Sequence, residues 1–405
     1  MRLNVTVLKV LSKSPFERLL KIVFKVNLIR VIYPRVHCVK ILIVSNLAFD
    51  FDPEGANSVN HRLNLLVDWL HGEGHQCQVL VRSGTVKLPY TIELPGEPHP
   101  NMWTSAKSDY LLSPESVLMR AMEYAREHQA EFEVIVCAGQ EYMPYWVQPW
   151  FQTPFLLWPN LAHSIPEVDA LLRQRFLERP YSIGFLTESH RRDAVGSLLN
   201  QVRPQCRAPI LWAPFQISHV LPATSRPSST DLFWAGRVDP SKGLTEVAEV
   251  ARRRGLKLKL AGVLDDPQLW HHIQETWAPE YLGVLRRDRL MEEMGQTMCF
   301  LQLQGPWWKE AFGRLTAEAL LAGTPVIAFD RGANTELVEH GVDGFIVKDL
   351  DEAVARFDDL HQLDRQLIQR RALDRFSTAH HGRQVLAWFE MAIKHWPKKV
   401  QSPEN

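Results

Sequence analysis

Several features that announce a protein class are scarce in this chain. Cysteine is limited to Cys38, Cys77, Cys137, Cys206 and Cys299, with no CxxC pair among them. An odd, dispersed set excludes a disulfide framework and points to a reducing compartment, the cytoplasm. Cys77, Cys137 and Cys299 lie in apolar runs and read as buried strand residues. Neither charge is in excess: 46 basic and 46 acidic residues give a formal net charge of zero. A balanced chain gives no reason to expect nucleic acid as a partner. No apolar stretch reaches the roughly 18 residues that a membrane span needs. Metal-ligand spacing is missing as well, because the pairs His271-His272 and His380-His381 are adjacent and neighbours on a helix point apart.

What is present is length and ordinary soluble composition. The 405 residues, 45 % apolar and 23 % charged, are too many for one hydrophobic core and suit two domains. Residues 1–38 form a basic arm in which Lys9, Lys13, Arg18, Lys21, Lys25, Arg30 and Arg35 face Glu17, with Leu19, Leu20, Ile22, Val23 and Phe24 between them. Two readings stand. One is an amphipathic helix in peripheral contact with the inner face of an anionic membrane. The other is an over-extended start, since the fold begins naturally at Val39 and valine is what a GTG start codon reads as internally. The arm has no clean apolar core followed by small residues, so it does not read as a signal peptide.

The rest alternates strands and helices. Lys40 to Ser45 is an apolar run of strand length. Val59, Leu63, Val67 and Leu70 recur at helical spacing, Gly72 and Gly74 close that helix, and Gln76 to Val81 is the next strand. Such a βαβ unit implies a parallel sheet. Strands follow at Val134 to Ala138 and Phe155 to Trp158, a helix at Asp193 to Leu199, and a strand at Pro204 to Pro214. The Pro/Ser/Thr-rich stretch 222–230 reads as linker, after which the pattern restarts. Leu232 to Ala235 is a strand, Gly236 to Gly243 a glycine-bounded loop, and Leu244 to Ala251 a helix closed by Gly255. Strands at Lys257 to Ala261, Cys299 to Leu303 and Pro325 to Phe329 follow, with a helix at Arg314 to Leu321. Two such halves place a ligand cleft between the carboxyl ends of their strands.

The chemistry concentrates at residues 310–327, EAFGRLTAEALLAGTPVI. Were Glu310 and Glu318 both helical, they would lie about 12 Å apart along the axis. That is too far for the paired carboxylates of a glycoside hydrolase and suits two contacts on one elongated ligand. Ala311, Phe312 and Gly313, just before the helix, can offer backbone N–H groups to an anion. In the loop Gly236-Arg237-Val238-Asp239-Pro240-Ser241-Lys242-Gly243, Arg237 and Lys242 are two cations able to cradle a diphosphate and stabilise charge on a departing nucleotide.

Residues 310–327 closely resemble the glutamate-pair motif of retaining GT-B glycosyltransferases, in particular glycosyltransferase family 4 (glycosyl transferases group 1). The motif's acid, small residue, Phe-Gly, second glutamate, apolar helix, Gly, Pro and apolar strand are all present. The resemblance runs from Lys40 to about Trp396. It implies an α/β GT-B fold, two Rossmann-like domains facing across a cleft. The expected boundaries are 39–215 for the acceptor domain, 216–230 for the linker and 231–375 for the nucleotide-sugar domain. A helix at 376–397 is expected to cross back to the first domain, leaving 398–405 as a tail. The family implies metal-independent transfer with retention, no cofactor, and a nucleotide-diphosphate sugar as donor. It places Glu310 on the donor sugar, Glu318 on the ribose hydroxyls, and Gly236, Arg237 and Lys242 on the diphosphate. Val284 and Leu285, after Gly283, resemble the segment whose backbone reads the base. A glycan or lipid-linked acceptor in cell-surface polysaccharide or glycolipid synthesis is the usual setting.

Departures sit in the first half. Only Gly55-Ala56 survives of the family's Gly-Gly-Ala-Glu turn. Where histidines are common, this chain has Gly139-Gln140-Glu141 and then Asn160, with His163 three residues on. Gln140, Glu141, Asn160 and His163 are the candidates for that role. Aromatics crowd two loops, Tyr142, Tyr145, Trp146 and Trp150 in the first half and Trp307 and Trp308 before Glu310. The Asp50-Phe51-Asp52 sequence spells a DxD, but in a GT-B-like chain it reads as an acidic turn after the first strand. A catalytically silent partner subunit and a nucleotide-sugar epimerase are the alternative functions.

Overall fold

The structure is a computed structural model that describes residues 37–52, 58–85, 87–98, 115–161, 165–215 and 220–397. The basic arm's first 36 residues, Gly55, Ala56 and His163 lie outside the described residues. Residues 40–405 form one compact unit.

The first half of that unit runs β1 (Lys40–Val44), α1 (Ser58–Gly72), β2 (Gln76–Arg82), β3 (Thr91–Leu94), α2 (Val117–Glu127), β4 (Val134–Cys137), α3 (Tyr142–Val147), β5 (Phe155–Leu157), α4 (Pro166–Glu178) and α5 (Glu188–Val195). The second runs β6 (Leu232–Ala235), α6 (Leu244–Arg254), β7 (Leu258–Ala261), α7 (Pro267–Trp277), β8 (Glu280–Tyr281), α8 (Arg287–Gln296), β9 (Phe300–Gln302), α9 (Arg314–Leu321), β10 (Val326–Phe329), α10 (Asn334–Leu337) and β11 (Gly344–Val347). The helices α11 (Leu350–Ala355), α12 (Arg365–Phe376) and α13 (Thr378–His395) end the chain's described part.

The first five strands make one parallel sheet in the order β3-β2-β1-β4-β5. β4 and β5, and β1 after Lys40, are continuous apolar runs, which suits strands covered on both faces by helices. α1 buries Val59, Leu63, Leu66, Val67 and Leu70 against this sheet, and Arg62 is buried on the same helix. The strand order reverses between β1 and β4, so their carboxyl ends open a crevice. The second half carries two parallel three-stranded sheets, β6-β7-β8 and β11-β10-β9. Leu232, Trp234, Leu260, Leu301, Ile327 and Val347 pack in one core shared by both.

Two sequence expectations need correction. Pro204 to Pro214 is not a strand: it holds a short 3-10 turn at Pro204–Cys206 and a lone bridge from Ile210 to Phe185. Pro204, Pro209 and Pro214 lack the N–H donors that a ladder needs. The helix expected at Asp193 to Leu199 lies earlier, at α5. Thr187 caps it by accepting from the His190 N–H at 3.0 Å, and Gly196 ends it at φ 56°. A 3-10 turn, Gly196–Gln201, continues from there.

α13 returns to the first half. Trp388 Nε1 donates to the Tyr181 carbonyl at 2.7 Å, and Trp396 Nε1 to that of Phe151 at 3.3 Å. Gly382 lets α13 lie against Trp69 of α1, where a Cβ would come within 2.1 Å of the indole ring.

Candidate functional site

A cavity of about 680 Å³ opens between the halves. Its lining follows the ends of strands: Asn160 and Leu161 come after β5, Gly236 and Arg237 after β6, Gly262 and Val263 after β7, and Gln302 ends β9. This is the position where ligands of open α/β sheets sit. A larger hollow of about 980 Å³ lies by Lys40, Gln76 and Tyr90, at the amino ends of β1, β2 and β3. It contains none of the motif residues, so the cavity at the carboxyl ends is the candidate site.

The loop after β6 is built by its own residues. Asp239 accepts from the Ser241 N–H at 2.7 Å and so caps a 3-10 turn over Pro240–Lys242. The same Asp239 carboxylate holds Arg237 Nε at 2.9 Å, and Asp265 lies 3.6 Å from Arg237 Nη1. Gly243 is required here. It adopts φ 74°, and a Cβ would meet the Leu303 carbonyl oxygen at 1.9 Å. The loop therefore presses against the end of β9 and points its cations into the cavity.

Lys242 forms an ion pair with Glu310, and its ammonium stands 4.5 Å from the centroid of the Trp308 ring. Glu318, buried on α9, pairs with Arg287 of α8 and lies 3.5 Å from Arg314 Nη2. Ala311 and Phe312 are buried, Gly313 turns at φ 81°, and α9 begins at Arg314. The amino end of α9 thus opens on the cavity between the two glutamates. Val284 and Leu285 line the same cavity, with Arg286 beside them. The Arg286 side chain is largely exposed and lies 3.8 Å from Asp288.

In the first half, Asn160 reaches the cavity and its surroundings hold it there. Its side-chain oxygen accepts from Arg62 Nη2 at 2.8 Å, and its amide donates to the Ala138 carbonyl at 3.3 Å. Gln140 steadies that loop by accepting from Asn160 N at 3.2 Å and Leu161 N at 2.8 Å. Gln140 and Glu141 are not among the cavity's lining residues. Burial pushes the Glu141 carboxyl up to about 7. His190 is driven the other way, to about 4, chiefly by burial.

The remaining aromatic and acidic features go elsewhere. Tyr145 is buried in the first half's core, Trp146 and Trp150 are exposed, and Trp307 is exposed beside Trp308. Asp50 forms an ion pair with Arg82. Among the described residues no three of His, Cys, Asp and Glu gather as a metal site.

Residues 224–374 match the family of glycosyl transferases group 1. That span carries the loop from Gly236 to Gly243, Glu310, Glu318 and α9. Trehalose synthase of Pyrococcus horikoshii is 28 % identical over 149 residues, which is 32 % of this chain and 35 % of that protein. The chain thus matches about a third of that relative's length. Sucrose-phosphate synthase of Thermosynechococcus elongatus superposes with a TM-score of 0.69 at 15 % identity, over 88 % of this chain and 99 % of that one. The Anabaena protein HepE, solved in complex with UDP and glucose, gives a TM-score of 0.62 at 17 % identity, over 87 % and 99 %. The fold is GT-B. In these GT-B halves the cavity occupies the cleft between the two parallel-sheet domains, and the matched family span supplies its second-half wall.

Three charged lining residues lie outside the sequence expectations: Arg62, Arg287 and Arg314. Arg314 directly follows Gly313 inside the recognised motif. Arg62 interrupts the apolar stripe of α1, three residues after Val59 and four before Leu66, and a charge on that stripe is the signal that could have found it.

Proposed function

We propose that this chain is a glycosyltransferase that moves a sugar from a nucleotide-diphosphate donor to a glycan or lipid-linked acceptor, with retention and without a metal ion. The observation that carries this reading is the convergence of Arg237, Lys242, Glu310 and Glu318 on one cavity at the carboxyl ends of the strands. Arg237, fixed by Asp239 and Asp265, and Lys242 are the cations for the diphosphate. The amino end of α9 adds backbone N–H groups and a favourable dipole for the same anion. Together they stabilise negative charge as the sugar leaves, which is the work a metal ion does in other transferases. In this reading Glu310, beside Lys242, meets the donor sugar. Glu318 meets the ribose hydroxyls in the same reading, and the backbone at Val284 and Leu285 meets the base. Asn160, at the position where relatives carry histidine, is the first-half contact to the sugar. Cell-surface polysaccharide or glycolipid synthesis at the cytoplasmic face of a membrane is the setting we infer.

The fold neighbour solved with UDP makes UDP-sugars the first donors to try. The test is release of free nucleoside diphosphate from a panel of UDP-, GDP- and ADP-sugars, with and without a membrane-glycan extract as acceptor, in EDTA. The expected result is acceptor-dependent release that EDTA leaves intact, with the anomeric configuration of the donor kept in the product by NMR. Nucleotide binding without any release contradicts transfer. Conversion of the donor sugar without acceptor points to epimerisation.

A further inference from the structure

The cavity is unevenly charged. At its donor end Arg237 is matched by Asp239 and Asp265, and Lys242 by Glu310. Of the other lining cations, Arg286 stands by Asp288, Arg287 and Arg314 share the Glu318 carboxylate, and Arg62 has none, so the last three positive charges against one negative leave an excess of two. Arg62 is buried on α1 of the first half and forms no ion pair among the described residues. Its guanidinium lies over the Trp158 ring at 4.2 Å and donates to Asn160 at 2.8 Å, which fixes it in place. Arg314 lies over the Phe215 ring at 4.6 Å. Nε of Arg62 and Nη1 of Arg314 are both buried without a hydrogen-bond partner. His190 and His381, which stand close enough to feel the charge of Arg62, are both held neutral by burial and add no further positive charge. Burial, with Arg314 adding repulsion, lowers Arg62 to about 9. Two cations kept dry, near each other and short of acceptors, form an arrangement that an anion relieves.

We propose that Arg62 and Arg314 form a second anion site in the cleft, which holds a phosphate or carboxylate group of the acceptor while Arg237 and Lys242 hold the donor's diphosphate. The acceptor of this enzyme is therefore acidic. The assignment to the acceptor follows from Arg62 standing on the first half, across the cleft from the loop that carries Arg237 and Lys242. It rests on the transferase reading, whereas the anion site itself does not.

The experiment uses the full chain and inorganic phosphate as the probe. Thermal midpoints are followed as phosphate replaces chloride at constant ionic strength, first alone and then over a saturating nucleoside diphosphate. The midpoint is expected to rise with phosphate and to keep rising with nucleotide bound. Arg62→Gln is expected to raise the half-saturating phosphate concentration at least tenfold. Lys242→Ala is expected to keep the phosphate response and lose that to nucleotide. Should Arg62→Gln fail to fold, Arg62→Lys, which keeps the charge and loses the fork, is expected to show a smaller loss of the same kind. A phosphate response abolished by saturating nucleotide overturns the proposal and assigns both arginines to the donor's diphosphate. No response, or one unchanged in Arg62→Gln and Arg62→Lys, overturns the site altogether. A phosphate response through Arg62 in a chain that binds no nucleotide keeps the anion site and removes the transferase reading.

Discussion

Lys242 stands between the carboxylate of Glu310 and the face of Trp308, so one side chain links three parts of the cavity. Its removal takes away a charge aimed at the leaving phosphate. Losing one such contact typically costs a factor of about 10²–10³ in rate, or about 3–4 kcal/mol. Lys242→Ala is therefore expected to lower kcat/KM by about two to three orders of magnitude, measured as nucleotide release. Lys242→Arg is expected to fall short of the parent as well, because the fork needs more room than the compact ammonium. A second residue-scale expectation concerns pH. His190 Nδ1 accepts from the Leu186 N–H at 3.3 Å, and burial holds the ring near 4 against an ordinary 6.5. Its pKa is depressed, so the unfolded chain takes up a proton that the native one refuses. Stability contributed by the neutral ring is lost as pH falls from about 6.5 toward 4, by at most ~3 kcal/mol. Glu141, raised to about 7, acts oppositely across the same range, because there the native state holds the extra proton. Urea midpoints between pH 7 and pH 5 are expected to fall less on acidification in His190→Gln than in the parent, and more in Glu141→Gln. Neither effect was readable from the sequence, since both arise from burial by segments distant along the chain. Glu310, Glu318, Arg237 and Lys242 were legible because each lies in a short contiguous motif. Arg62 was not, because its meaning depends on Arg314 in the other half.

At the level of elements, the loop from Gly236 to Gly243 is as demanding as the side chains it carries. A methyl at Gly243 would collide with the Leu303 carbonyl and force a left-handed backbone on a residue that disfavours it. Gly243→Ala is expected to cost about 1–3 kcal/mol in strain alone, seen as a lower urea midpoint, and to weaken nucleotide binding as the loop lifts from β9. The sequence marked this loop and α9 closely, because glycines bound them on both sides: Gly236 and Gly243, then Gly313 and Gly323. Where prolines and polar residues replace that punctuation, the pattern misleads. Pro204 to Pro214 looked apolar enough for a strand, but its prolines leave it only a lone bridge. The start of α5 was missed because Thr187, its cap, precedes a charged run with no apolar stripe to reveal the helix.

Across the whole molecule, several contacts tie the halves around the cavity, among them the Lys309–Asp193 ion pair at 2.7 Å. α13 packs on the first half through Trp388 and Trp396. The Thr187 hydroxyl donates to the Ala311 carbonyl at 2.8 Å, within the motif. The Glu336 carboxylate accepts from the Glu188 and Ser189 N–H groups at 2.9 and 2.6 Å, at the amino end of α5. Trp388 is fully buried, and Trp388→Ala is expected to cost about 3–5 kcal/mol of stability by denaturant titration. The two-domain architecture was legible from the restart of the strand and helix pattern after residue 230. The pairing of α13 with α1 was not, because Gly382 gives no sign in sequence that an indole will lie against it. The central claim is that this cleft binds a nucleoside diphosphate through Lys242 and Glu318. Isothermal titration calorimetry of UDP, GDP and ADP against the parent, Lys242→Ala and Glu318→Ala, in EDTA, tests it most directly. One base is expected to bind clearly in the parent, and each variant to weaken it at least tenfold. Absence of binding by all three nucleotides, or binding unchanged in both variants, would contradict the claim.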